Sequence, residues 1–397
     1  RLPYDNAEDF KPFNSEGAWR ATIIDGGDDF ITLRSTVEGS GSDNVQQTGV
    51  KSIEGAGEHP IDFWIDFKGT IPEGATPRCA IVRVRYHNYT CEHDIFVRQG
   101  YAPITINGNA ESNNNPAWTS YNVYRFDANN APVYTKSPLE EGSLFRRGNR
   151  TAILASNNDR SGFTFGVEPT GSFNVLEFGS ATTSQKTWSQ LAPSTDDVTN
   201  RFKEWSIAGD HERIATIEDF YTLESTSIHS NINKAYGVLY GDGATETQKS
   251  VKEAFGYDHN EDPTNSKKGM RGCFVFNVNN SRNIFFPIGK SGYGRRKGMT
   301  SNGEKVGTLR YAQRTDYYNN DGTGNIQYVP LFYDLFERSG AIYQCRNRLE
   351  STNNEVKNSS AFDINYFTMG FEGFENGASN NNNGSDSDAC FIRTVKY

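Results

Sequence analysis

The side chains best suited to recognition chemistry gather in the last third of the chain. Tyr293 and Arg295, the run Tyr317, Tyr318, Asn319 and Asn320, then Arg346 and Asn347, Asn353 and Asn354, and Asn365 and Tyr366 all fall between short apolar runs. Tyrosine gives a large rigid contact surface at low entropic cost, arginine a planar fork of donors, and asparagine adaptable hydrogen bonding. Loops carried by a rigid scaffold are where such side chains meet ligands. These twelve positions are the candidate ligand-binding residues. Turn chemistry is the competing explanation, because Asn also favours turns for purely local reasons.

Patterns for covalent or phosphate chemistry do not close. Gly289-Lys290-Ser291 ends like a phosphate-binding loop, but the glycine required with four residues between is Ile284, and Gly292-Tyr293-Gly294 opposes a following helix. Neither Gly-x-Ser-x-Gly nor His-Glu-x-x-His occurs. Cysteines 79, 91, 273, 345 and 390 form no Cys-x-x-Cys, and the six histidines are scattered. A catalytic triad built from distant residues leaves no such signature, and nothing nominates one. No catalytic residue and no metal ligand is assigned. Asn380 to Asp388 offers oxygen ligands suited to calcium but lacks the ordered spacing of an EF-hand, so the expectation is no resident cofactor, with calcium the cation to consider.

The elements that would hold the recognition residues are short. Asp25-Gly26-Gly27-Asp28 separates strand candidates at 22–24 and 30–33, and 61–67 alternates Ile, Phe, Ile and Phe with Asp, Trp and Asp. Residues 79–86 and 94–100 alternate with period two around His87-Asn88-Tyr89-Thr90, the pattern of a half-buried hairpin. A turn near Asn88 sets Cys79 opposite about residue 97, which argues against a Cys79–Cys91 disulfide. Residues 104–117 are polar, Asn-rich and interrupted by Pro116, and read as a linker. Beyond them, Thr216 and Asp219 predict a capped helix over 216–223, and a second helical candidate spans 327–336. Strand candidates follow at 272–277, 283–288, 341–343, 366–369 and 389–395. The expected organisation is a β-sandwich over 1–103, a linker over 104–117 and a loop-rich α+β domain over 118–397.

Composition narrows the function classes. The 397 residues hold 38 Gly, and 39 Asn can be counted among them, so these two turn-formers make up about a fifth of the chain. The net charge of −9 argues against nucleic acid as the main partner. No apolar run is long enough for a membrane-spanning helix.

Two resemblances refine this reading. Residues 15–103, closing on Ile95-Phe96-Val97-Arg98-Gln99, resemble the immunoglobulin-like modules of Bacteroidetes surface proteins, which implies a spacer role. Residues 213–397 carry a recognisable order of motifs: Arg213-Ile214-Ala215-Thr216-Ile217-Glu218-Asp219-Phe220, Asn231 to Gly243, Phe285-Phe286-Pro287-Ile288-Gly289 with Gly292-Tyr293-Gly294-Arg295-Arg296, Gly307 to Ala312, Gly340 to Tyr343 and Ala389 to Val395. That order is similar to C-type-lectin-like, formylglycine-generating-enzyme-like modules at the C-terminal end of Bacteroides surface and fimbrial-tip-like proteins. Ala215 stands where those modules carry Pro, and Asp219 where they carry Glu. The calcium-dependent sugar-binding signatures of animal lectins and the paired catalytic cysteines of the oxidase are both absent.

The resemblance implies an exported, non-catalytic adhesin or ligand-binding protein at the outer-membrane surface or in a fimbrium. Its partner would be a surface glycan or protein, with other fimbrial subunits as further partners. A leader peptide is not found from Arg1 onward, so the one that export requires is expected outside these residues. The alternatives are an enzyme on the formylglycine-generating-enzyme-like scaffold and a purely structural pilus subunit.

Overall fold

Alternation of apolar and polar residues turns directly into paired strands in the first hundred residues. The computed structural model describes residues 17–24, 27, 29–35, 47–55, 61, 63–136, 140–146, 149–155, 171–191, 206–209, 211–223, 231–239, 270–287, 341–344, 346, 361–364, 369–370 and 389–397. Strands β1 (Trp19–Ile24), β2 (Ile31–Ser35), β3 (Gln47–Val50), β4 (Ser52–Gly55), β5 (Trp64–Phe67), β6 (Arg78–Tyr86) and β7 (Cys91–Gln99) form two antiparallel sheets, ordered β4-β1-β6-β7 and β3-β2-β5. Ala21, Ile23, Ile31, Leu33, Ile53, Ala80, Val82 and Val84 fill the space between the sheets, all essentially without exposure. Each such branched side chain contributes roughly 1.5–3 kcal/mol on burial, which fixes the register by fixing which face turns inward. The outward face of the larger sheet carries cross-strand ion pairs, Arg20 with Glu54 and Arg83 with Asp94.

The β6–β7 hairpin matches the alternation in the sequence, with Cys79 opposite Arg98 and Tyr86 opposite Cys91. Cys79 and Cys91 are accordingly far apart in the ladder, and neither forms a disulfide. The tip is unusual. His87, Asn88 and Tyr89 have φ of 51°, 54° and 67°, a left-handed run of three non-glycine residues. Such residues cost about 1–2 kcal/mol each and persist only where neighbours over-determine them. Here the Asn88 side chain accepts from the Ala18 N–H at 2.9 Å, the Asn88 N–H donates to the Ala18 carbonyl at 3.0 Å, and the Thr90 hydroxyl donates to the His87 carbonyl at 2.6 Å.

Residues 104–117 do not hang free between two bodies. Ile104 and Ile106 are buried, and Ile104 pairs with Trp118. The polar residues around them bond locally: Asn115 donates to the carbonyls of Asn109 and Ala110, and Arg282 reaches across to Thr105. Two isoleucines at alternate positions anchor one end of the stretch in the core, while residues 108–114 stay exposed.

The remainder is also mostly β. In chain order it comprises β8 (Ala117–Trp118), β9 (Val123–Phe126), β10 (Pro132–Tyr134), β11 (Ser143–Arg146), β12 (Ala152–Leu154), β13 (Ser172–Leu176), β14 (Thr183–Thr187), β15 (Glu212–Ile214), α1 (Ile217–Tyr221), β16 (Ile232–Leu239), β17 (Met270–Asn277), β18 (Asn283–Pro287), β19 (Ala341–Gln344), β20 (Ala361–Ile364), β21 (Met369–Gly370), β22 (Ala389–Cys390) and β23 (Thr394–Lys396). Antiparallel sheets run β10-β9, β14-β13-β12-β11-β22, β15-β23-β8, β16-β17-β18 and β19-β20-β21. The protein is thus β-rich, and α1 is the sole α-helix among the described residues. Its start is the capping box expected from Thr216 and Asp219: the Asp219 N–H donates to Thr216 Oγ1 and the Thr216 N–H to Asp219 Oδ2. The second helical candidate, 327–336, lies outside the described residues. No helix among the described residues is long and apolar enough to cross a membrane.

An aromatic chain runs through the second core. Trp118 lies 4.9 Å from Phe220 and 5.8 Å from Phe286, Phe286 lies 5.3 Å from Tyr343, and Tyr343 5.8 Å from Phe391. The sandwich packs onto this body through β7. Phe96 stacks on Phe274 at 4.8 Å, and Arg98 donates to the carbonyls of Gly100, Ala102 and Asn283 and to the Ser120 hydroxyl. Cys79, the cross-strand neighbour of Arg98, is buried in the second core, and that burial pushes its thiol pKa up.

Candidate functional site

A buried arginine must find acceptors, and Arg393, in the short link between β22 and β23, organises the C-terminal body by doing so. It is fully buried between Ile392 and Thr394. Its Nε donates to Asn122 Oδ1 at 2.8 Å, Nη1 to the Thr119 carbonyl at 2.8 Å, and Nη2 to the Phe285 carbonyl at 3.0 Å. The guanidinium also sits over the Phe286 ring, 4.8 Å from its centroid. Burial lowers its pKa, but the group starts so high that it stays a cation.

Tyr343 completes the centre. Its hydroxyl accepts from Asn122 Nδ2 at 3.1 Å and faces the Pro287 carbonyl at 3.5 Å, while Asn122 Nδ2 also donates to the Glu141 carbonyl. Burial raises the Tyr343 pKa, so the phenol is neutral. One consequence concerns β18, the edge of its sheet. The carbonyls of residues 283, 285 and 287 lie on the side away from β17, where Arg98, Arg393 and Tyr343 meet them one after another. Side chains from three remote segments thus close an edge that no strand among the described residues covers.

The helix start joins the same frame. Arg213 forms a bidentate pair with Asp219 at 2.7 and 3.1 Å, donates to Asn113, and lies 4.3 Å from the Tyr397 ring centroid. Ala215, one residue before the cap, donates its N–H to the Arg393 carbonyl at 3.0 Å and accepts the Arg346 N–H at 2.9 Å. On the other side of β23, the Thr394 hydroxyl donates to Glu212 at 2.8 Å, and the Tyr134 hydroxyl bonds to both.

This frame is where the candidate recognition segments begin and end. Pro287 and Tyr343 bring together the two sides of residues 288–340. Gln344 pairs with Ala361 around residues 345–360, and Ile364 pairs with Met369 around residues 365–368. Ala389 of β22 is held by Arg146 of β11, and Phe391 bridges to Tyr343. Of the twelve candidate residues, Arg346 lies among the described ones, half-buried and tied by its backbone to Ala215. Tyr293, Arg295, Tyr317, Tyr318, Asn319, Asn320, Asn347, Asn353, Asn354, Asn365 and Tyr366 lie outside them, as does the calcium candidate Asn380–Asp388.

Sequence reading did not single out Arg393, Asn122 or Tyr343. The signal available was Arg393 within Ala389–Val395, a lone charge in a run otherwise written for the core. Among the described residues no group of three or more His, Cys, Asp or Glu side chains gathers as a metal site would require. Comparison with family models, curated proteins and solved structures finds no match to this chain.

Proposed function

We propose that this protein is a non-catalytic, surface-displayed ligand-binding protein of the adhesin type, built as a fimbrial-tip-like subunit. The N-terminal sandwich serves as an immunoglobulin-like spacer, and the second body as a C-type-lectin-like module that presents its C-terminal segments to a surface glycan or protein. The observation that supports this reading is the frame. Segments rich in Tyr, Arg and Asn start and finish on strands gathered around Tyr343 and Arg393, so one rigid base carries many recognition-type side chains.

Glycan and protein arrays probed with the full chain test it. The expected outcome is a defined set of bound ligands, with binding reduced at least tenfold when Tyr317, Tyr318 and Arg346 are changed together to Ala, since tyrosine and arginine anchors each contribute about 1–2 kcal/mol or more. Unchanged binding by the triple variant would remove the site from these segments.

A further inference from the structure

The two sheets of the sandwich end in four edge strands, and the described residues show how three of them are guarded. β4 exposes polar side chains, Ser52 and Glu54, and buries its large apolar one, Ile53. β7 lies against the second body through Phe96 and Arg98. β3 breaks its register against β2 between Leu33 and Arg34, an irregularity of the kind that spoils an edge for further pairing.

Among the described residues β5, Trp64-Ile65-Asp66-Phe67, exposes aromatic rather than polar side chains and shows neither a neighbouring body nor a break in register. It contains no Lys and no Pro, and its single charge is occupied, because Arg34 grips both Asp66 oxygens at 2.8 and 3.2 Å. Trp64 is 37% exposed and Phe67 45% exposed, on opposite faces of the strand. The ladder also fixes which backbone groups are open. The Lys68 N–H donates to the Phe30 carbonyl at 2.8 Å, and Phe67 stands opposite Ile31. Residues 64, 66 and 68 therefore exchange bonds with β2, and the N–H and C=O groups of Ile65 and Phe67 point outward along the edge.

We infer that this edge docks the β5 strand of a second copy of the chain, antiparallel about a two-fold axis at Asp66. The strand is self-complementary in that register. Ile65 of each copy faces Phe67 of the other as a hydrogen-bonded pair, so the outward groups satisfy one another, and the apolar pair extends the sandwich core across the axis. Trp64, which carries the Arg34 guanidinium 4.6 Å from its ring centroid, falls opposite Lys68 of the second copy. The two Asp66 side chains meet on the axis, and since each is already neutralised by Arg34, the repulsion of like charges is removed. The product is one continuous six-stranded sheet made of two copies of β3-β2-β5, with both exposed aromatic residues covered.

Sedimentation velocity on the full chain, from roughly 1 to 100 µM to bracket ordinary protein affinities, tests the inference. Wild-type protein is expected to form dimers. Phe67→Lys restores a guarded edge without touching any ladder bond, and is expected to raise the dimer dissociation constant at least tenfold. Ile65→Pro removes an outward N–H that β2 does not use and is expected to do the same, with circular dichroism checking that it folds. Asp66→Cys places two thiols at a non-hydrogen-bonded pair, where Cα atoms lie about 4.5 Å apart, within disulfide reach. Under mild oxidation it is expected to yield a covalent dimer that the wild type does not. A monomeric wild type, undiminished dimerisation of Phe67→Lys, or an Asp66→Cys variant that stays monomeric would each overturn the inference. So would a strand of another protein seated on β5 while the wild-type chain remains monomeric.

Discussion

Replacing Arg393 by Met sets the two opposing effects of a buried charge against each other. The side chain is fully enclosed and donates three hydrogen bonds, all to neutral acceptors: one amide oxygen and two carbonyls. A hydrogen bond with one charged partner contributes roughly 1.5–3 kcal/mol, so three together contribute about 4.5–9 kcal/mol. Enclosing a cation costs several kcal/mol, which Met would recover. Met would also strand the Asn122 oxygen and the carbonyls of Thr119 and Phe285 without donors, and a buried unsatisfied acceptor costs about 1–3 kcal/mol. The stranded acceptors outweigh the recovered desolvation, and the expected net loss is about 3–5 kcal/mol. Arg393→Lys keeps the charge but cannot span three acceptors from one ammonium, so it is expected to fall between the two at about 1–3 kcal/mol. Urea unfolding followed by tryptophan fluorescence, to which the buried Trp118 and Trp188 contribute, reads the effect as a shift in midpoint at constant slope. A Met variant as stable as wild type would refute the reasoning, because it would show that the cation costs more to enclose than its three bonds return.

Further outcomes follow from other named groups. Asp219→Ala removes both the reciprocal cap of α1 and the partner of Arg213, and is expected to cost about 3–5 kcal/mol in the same assay; a loss under about 1 kcal/mol would show that the cap and the ion pair are idle. Asn88→Ala should cost about 1–3 kcal/mol, since it deletes the bond to Ala18 and puts a less tolerant side chain at φ of 54°; an unchanged melting temperature would mean that the tip is held by its other bonds alone. Alkaline pH should destabilise the fold. Burial raises the thiol pKa of Cys79 and Cys273 and the phenol pKa of Tyr343, so the folded state keeps protons that the unfolded state loses above about pH 9–10. Stability is therefore full below that range and declines as pH rises through it, and a midpoint flat from pH 8 to 11 would contradict this linkage.

The legible parts of the fold were those whose signal is local. Period-two alternation placed β6 and β7, with Cys79 opposite Arg98 where residue 97 was expected, and Thr216 with Asp219 placed α1. What stayed hidden depends on residues far apart. β8 is two residues long and pairs with β23, a register set by burial of Trp118 and Val395 rather than by any pattern in either segment. Arg393, Asn122 and Tyr343 carry no spacing at all, because the chain brings them together only after folding. From composition the surplus of Asn fits either turn chemistry or a binding surface. In the described residues much of it holds the backbone together: Asn107, Asn149, Asn277 and Asn280 each accept the N–H two residues on. The same side chain can lock a turn or offer itself to a ligand, and composition does not separate the two.

The pairing of β8 with β23 has a consequence for the chain while it is being made. Trp118, among the largest fully buried side chains, waits for Val395, its strand partner 277 residues downstream. At about 5–20 residues per second, synthesis takes roughly 15–55 s to supply that partner. Through that interval the aromatic centre of the second body stays open to water and to other chains, whereas β1 to β7 already have every strand they need. The two parts therefore mature on separate clocks, and the later one is the natural client of whatever holds nascent chains apart.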